Sequence, residues 1–151
     1  MSGMGVRVQD KTELQNDVAV AHAPRVLIAE DNEEMAALLV DAFRKAGYET
    51  VVCYDGWDLL QLSGFGERPQ QDLIVSDIRL PGISGLDALR AFHYAGGFIP
   101  MILITAFGDE WTHSKSELLG AVDMFDKPFD IDDLVARARE LIPPVSSSTT
   151  T

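Results

Sequence analysis

Only one cysteine, Cys53, stands in 151 residues. That excludes an internal disulfide and any metal site built from cysteines alone. Cations are scarce too: 12 Lys and Arg face 24 Asp and Glu, for a formal net charge of −12. A chain of that sign repels phosphodiester backbones and anionic lipid, so neither direct nucleic-acid binding by this segment nor membrane-surface binding is expected. No apolar run approaches the roughly 18 to 20 residues that span a bilayer. Residues 1–23 lack the apolar core of a signal peptide, and the expected location is the cytoplasm. The three histidines, His22, His93 and His113, show no ligand or triad spacing.

The remaining composition is that of a globular domain, with 46% hydrophobic and 24% charged residues. At this length a single core hides roughly 70% of the unfolded chain's surface, so no staple is required. Residues 1–23 read as a disordered N-terminal segment and 24–143 as the ordered unit. Residues 144–151, rich in Ser and Thr after Pro143-Pro144, read as a flexible tail or the start of a linker.

Within 24–143 a short β-branched or apolar run recurs at Arg25–Glu30, Tyr48–Cys53, Asp72–Asp77, Ile99–Thr105 and Val122–Asp126. The starts are separated by 23, 24, 27 and 23 residues. Helical periodicity fills the intervals. Met35, Leu38, Leu39, Ala42 and Phe43 mark the first helix, and Leu59, Leu60 and Leu62 a shorter second. Leu86, Leu89, Arg90 and Phe92 mark the third, and Leu118 and Leu119 a weak fourth. Ile131, Leu134, Val135, Ala138 and Ile142 mark the fifth, with Asp130 as its N-cap. Arg137, Arg139 and Glu140 read as a solvated helix face. Alternation at this spacing predicts right-handed βαβ units on one parallel sheet. The fold class is therefore α/β: a doubly wound, five-stranded parallel sheet, for which the order 2-1-3-4-5 is a common solution.

In that order the carboxyl ends of four strands share a rim. They carry Glu30-Asp31, Asp77, Thr105 and Lys127-Pro128. Each residue has an ordinary explanation alone: Asp31 as a helix cap, Asp77 as a turn former, Thr105 as a good strand residue, Lys127 as a solvated lysine. Their convergence on one edge is the signal. Three neighbouring carboxylates disfavour one another unless a cation intervenes, and oxygen donors of this kind suit Mg²⁺. An ionised Asp77 can attack phosphorus. Asp31 and Asp77 can hold the metal, Lys127 can neutralise a phosphoryl oxygen, and Thr105 can donate its hydroxyl to the transferred group.

The segments Val26–Asp31, Leu73–Gly82, Ile102–Ala106 and Gly120–Phe129 resemble, in order and spacing, the receiver (response-regulator) domain of bacterial two-component signalling. The resemblance covers about 24–143. It implies the flavodoxin-like fold and a switch in which Asp77 accepts phosphate from a histidine kinase or a histidine phosphotransfer protein. It also implies Asp31 as a direct Mg²⁺ ligand, Glu30 acting through water, the Arg79 backbone carbonyl as a further ligand, and a cis Lys127–Pro128 peptide. A downstream protein would then read the phosphorylated state.

One position departs from the family pattern: Met124 stands where a switch Tyr or Phe is usual. Its neighbour Phe125 should point to the opposite face of the strand. A thioether can fill the same groove, but the usual coupling of an aromatic ring to Thr105 is in doubt. Trp111, early in the fourth loop–helix segment, is a candidate for the partner face. Arg79 and Phe107, two residues beyond Asp77 and Thr105, should flank the path of an attacking water and lengthen the life of an acyl phosphate.

Other classes fit less well. A flavin carrier needs phosphate-binding donors after the first strand, where Glu30-Asp31-Asn32-Glu33-Glu34 would repel the group. A phosphatase with an aspartate nucleophile wants a second carboxylate where Arg79 stands. The chain is thus expected to be a phosphoacceptor that assists its own phosphorylation and dephosphorylation, not an enzyme acting on other substrates. A degenerate receiver serving only as a binding module is the alternative. Nine residues follow Ile142, too few for an output module, which leaves a stand-alone receiver or an excised domain.

Overall fold

The computed structural model describes residues 23–64, 70–96 and 99–144. The N-terminal segment before residue 23 and the tail beyond 144, both expected to be flexible, lie outside the described residues.

The strands are β1 (Arg25–Ala29), β2 (Glu49–Cys53), β3 (Leu73–Asp77), β4 (Met101–Thr105) and β5 (Asp123–Asp126). The helices are α1 (Glu33–Lys45), α2 (Gly56–Ser63), α3 (Gly85–Tyr94), α4 (Glu110–Leu118) and α5 (Ile131–Leu141). All strand pairings are parallel and the order is β2-β1-β3-β4-β5, as the spacing predicts. Each strand starts or ends within about two residues of its expected bounds, the usual uncertainty of element ends.

The sheet is buried on both faces because successive side chains alternate. Val26, Ile28, Val75, Ile102 and Ile104 meet Leu39 and Phe43 of α1 and Leu134 and Ala138 of α5. Leu27, Ala29, Ile74 and Leu103 instead meet Leu59 of α2, Ala88 and Leu89 of α3, and Leu119. Phe125 and Met124 divide in the same way, Phe125 toward the first cluster and Met124 toward the second. Cys53 is buried at the end of β2, and its thiol is pushed up to about 12 by burial, with the charges of Asp58 and Asp55 adding.

Helix starts are set by short polar side chains at the strands' carboxyl side. Asn32, Asp55, Ser84, Asp109 and Asp130 each accept a backbone N–H of the helix that follows. Asn32, not Asp31, caps α1, which leaves Asp31 free for the rim. Two apolar positions break the expected helical stripe, Leu38 and Leu118, both exposed. Arg137 also departs from a purely solvated role. Its guanidinium donates to Asp123 at 3.0 Å and so ties α5 to β5, while a second nitrogen reaches Glu140.

Phe43 is wholly buried and meets Tyr48 edge-on at 5.7 Å between ring centroids. Phe43→Ala should cost about 3–5 kcal/mol in urea unfolding, the usual range for emptying such a site. Leu38→Ala, five residues earlier on the exposed side, should stay within about 0.5 kcal/mol of wild type. Equal losses from the two would show that the assignment of faces on α1 is wrong.

Candidate functional site

Strand register brings the predicted residues together. Asp77 is the last residue of β3 and lies opposite Ile104, one residue short of Thr105 at the end of β4. Thr105 in turn pairs with Asp126, which directly precedes Lys127. Glu30 follows β1, where its N–H donates to the Cys53 carbonyl at 3.1 Å. The close packing of α3 supports the centre from below. Its first residue, Gly85, lies so near that a Cβ there would collide with the Asp77 carbonyl. That carbonyl also accepts the Ser76 hydroxyl at 2.8 Å.

Lys127 Nζ is the hub of the cluster. It donates to Asp77 Oδ2 at 2.9 Å and to Glu30 Oε1 at 3.0 Å. Its own backbone N–H is held by the Thr105 carbonyl at 2.7 Å, and the Lys127–Pro128 peptide is cis. The other oxygen of each carboxylate is also engaged: Glu30 Oε2 accepts from Asn32 N–H at 3.1 Å, and Asp77 Oδ1 from Arg79 N–H at 3.0 Å. Glu30 is fully buried and Asp77 is 5% exposed, whereas Asp31 is open to solvent.

Burial pushes the Glu30 carboxyl above its ordinary value; the Asn32 N–H and Lys127 oppose this, and the Asp77 charge adds to it. For Lys127, burial works downward, but the hydrogen bonds and charges of Asp77 and Glu30 outweigh it and the ammonium is raised. Carboxylate oxygens of Glu30, Asp31 and Asp77 lie within 4.8 Å of one another, a hard-oxygen set that suits a divalent cation.

The flanking residues are arranged more closely than sequence spacing suggested. The Arg79 guanidinium lies over the Phe107 ring, 4.3 Å from its centroid, so the two expected flanks form one cation–π stack. Thr105 Oγ1 accepts the Phe107 N–H at 3.1 Å. Met124 is half-buried and lines a groove of about 340 Å³ with His113, Ser116, Glu117 and Asp123. Trp111 is exposed on α4.

One pair was missed in the sequence. His113 Nε2 lies 3.0 Å from Asp126 Oδ2, although the two residues are 13 apart. The connection from the middle of α4 to the end of β5 brings them together, and no sequence spacing announces it.

The family model described as response regulator receiver domain matches residues 26–139. The chain is 33% identical over 119 residues to sporulation initiation phosphotransferase F of Bacillus subtilis, covering 79% of this chain and 94% of that one. It is 37% identical over 117 residues to the sensory transduction protein RegX3 of Mycolicibacterium smegmatis, covering 78% of this chain and 50% of that one. The chain spans about half the length of several such curated relatives. Among solved structures, a Francisella response regulator receiver domain superposes with a TM-score of 0.72 at 29% identity, covering 78% of this chain and 95% of that one. The receiver domain of a Pseudomonas aeruginosa sensor histidine kinase, with magnesium coordinated in its active site cleft, gives 0.70 at 25% identity, covering 80% and 98%.

The raised Lys127 ammonium has a stability consequence with a definite sign. The folded state holds the proton more tightly than the unfolded chain, so the contribution is fully present below the ordinary value of 10.5 and is lost as pH rises through the folded value. In metal-free buffer, the difference in unfolding free energy between wild type and Lys127→Met should hold level from neutral pH up to 10.5 and decline above it. A difference that persists unchanged through that range would contradict the bridged arrangement.

Proposed function

The chain belongs to the response regulator receiver domain family of two-component systems, and from that premise we propose that it is a phosphoacceptor switch whose acceptor is Asp77. A single observation carries the reading: Asp77, Glu30 and Asp31 converge with Lys127 on one rim, with the Thr105 hydroxyl at the next strand end. An Asp77 carboxylate oxygen attacks the phosphorus of a phosphohistidine on a kinase or phosphotransfer protein. The P–O bond forms as the P–N bond breaks, and the imidazole departs neutral, keeping the proton on its other nitrogen.

Lys127 moves from bridging two carboxylates to neutralising a phosphoryl oxygen, and Thr105 exchanges the Phe107 N–H for the phosphoryl group. Mg²⁺ on Asp31 and Asp77, with Glu30 through water and the Arg79 carbonyl, would supply further charge neutralisation at the phosphoryl oxygens. Phosphorylation then biases a two-state equilibrium of the α4–β5 surface, where Trp111 and Met124 lie, and a downstream protein reads it. No helix among the described residues is long and apolar enough to cross a membrane, and the acidic balance argues against direct nucleic-acid binding by this segment.

Incubation with Mg²⁺ and a small acyl-phosphate donor, followed by intact-mass measurement, should show one added phosphoryl group on wild type and none on Asp77→Asn. Equal addition to both proteins would place the acceptor elsewhere, and no addition to either would favour a pure binding module. The Arg79–Phe107 stack should slow hydrolysis of the acyl phosphate by standing in the water's path. Decay of phosphorylated Phe107→Ala should be roughly 2- to 5-fold faster than wild type, in line with the strength of an exposed cation–π contact. An unchanged half-life would remove the shielding role.

A further inference from the structure

Three observations meet behind the Thr105 hydroxyl. Thr105 is paired with Asp126 across the β4–β5 ladder. The Asp126 carboxylate lies 3.0 and 3.1 Å from His113 Nε2, which ties the end of β5 to α4. Gly108 sits between these groups. A Cβ there would collide with Asp126 Oδ1 and come within 3.0 Å of both His113 Nε2 and Thr105 Cγ2. The loop from β4 to α4 is thus seated against the His113–Asp126 pair on one side and the Thr105 methyl on the other.

Thr105 cannot change partners without disturbing that seat. Its Oγ1 now accepts the Phe107 N–H, which leaves the hydroxyl proton available to a phosphoryl group on Asp77, and a turn of the side chain toward that group would break the bond. A β-branched side chain turns between discrete χ1 wells, so Oγ1 and Cγ2 swing together. The methyl that abuts Gly108 is displaced in the same movement that delivers the hydroxyl. At Met124, in contrast, no ring is available to follow Thr105.

We propose that the His113–Asp126 pair is a latch: it holds Gly108 and the first turn of α4 in the unphosphorylated arrangement, and rotation of Thr105 releases it. The inference rests on the phosphoacceptor reading of Asp77. His113 and Asp126 act through the loop and do not touch the reacting atoms. With the ring hydrogen on Nε2, His113 donates to the carboxylate, and the latch is built on that hydrogen bond. Its release frees the turn that carries exposed Trp111, two residues before His113.

Amide hydrogen exchange of segment 106–113 in the full chain tests this, with intact mass recording phosphoryl incorporation in the same samples. Without phosphoryl donor, Asp126→Ala and His113→Ala should each raise exchange of the segment about 2- to 5-fold, the range expected for losing one half-exposed hydrogen bond. Gly108→Ala, which evicts the Asp126 carboxylate by its Cβ, should do the same by an independent route. With donor and Mg²⁺, wild type should rise to the level of the variants, and the variants should gain little more. Wild-type protection in all three unphosphorylated variants overturns the latch, whatever happens at Asp77. So does a phosphorylated wild type whose segment keeps its protection. A wild type that takes up no phosphoryl group overturns the reading beneath the release step, while the unphosphorylated variants still decide whether the pair holds the loop.

Discussion

The rim depends on one ammonium group. Glu30 and Asp77 come from different strands, both are buried or nearly so, and Lys127 Nζ holds an oxygen of each within 3.0 Å. Without a cation between them, such carboxylates could not both remain ionised at little cost. The raised Glu30 carboxyl shows the cost directly, since burial dominates even with Lys127 in place. The Lys127 backbone N–H donates to the carbonyl of Thr105, the last residue of the neighbouring strand β4. An anion drawn to this ammonium would have to compete with two carboxylates that already hold it.

The sheet makes this arrangement possible because its strands end in register along one rim. Both faces are sealed by apolar residues, and the strands end in short connections to capped helices. The β3 end is clamped through the Asp77 carbonyl, with the Ser76 hydroxyl and Gly85 packed on it, so Asp77 cannot move far. The loop after Thr105 has looser surroundings: its outer side is the Arg79–Phe107 stack and its inner side the His113–Asp126 pair.

Met124 stands where the resemblance to the family leads one to expect a Tyr or Phe. Asp77, Thr105 and Lys127 share the rim as that resemblance implies, whereas at this position a flexible thioether lines the groove beside α4. Phe125 does not compensate, because it points to the opposite face and packs beside Phe129, with ring centroids 5.8 Å apart.

Much of this was legible before any coordinates. Five apolar runs at nearly constant spacing determined the class of fold, and right-handed βαβ connections made the sheet parallel, with 2-1-3-4-5 a common order for it. The rim residues were legible too, since a strand's last residue must lie at the sheet edge in any register. The sequence could not reveal contacts between side chains from separate elements. Arg79 and Phe107 are 28 residues apart, His113 and Asp126 13 apart, and each pair meets only through the twist and register of strands already packed. Leu38 and Leu118 failed as core residues for a related reason: periodicity tells which positions share a helix face, but the sheet and neighbouring helices decide how much of that face they cover. Sequence alone determined the chemistry present and the edge on which it stands. Tertiary structure decided which groups touch, because contact depends on distances of an ångström or less that no local spacing encodes.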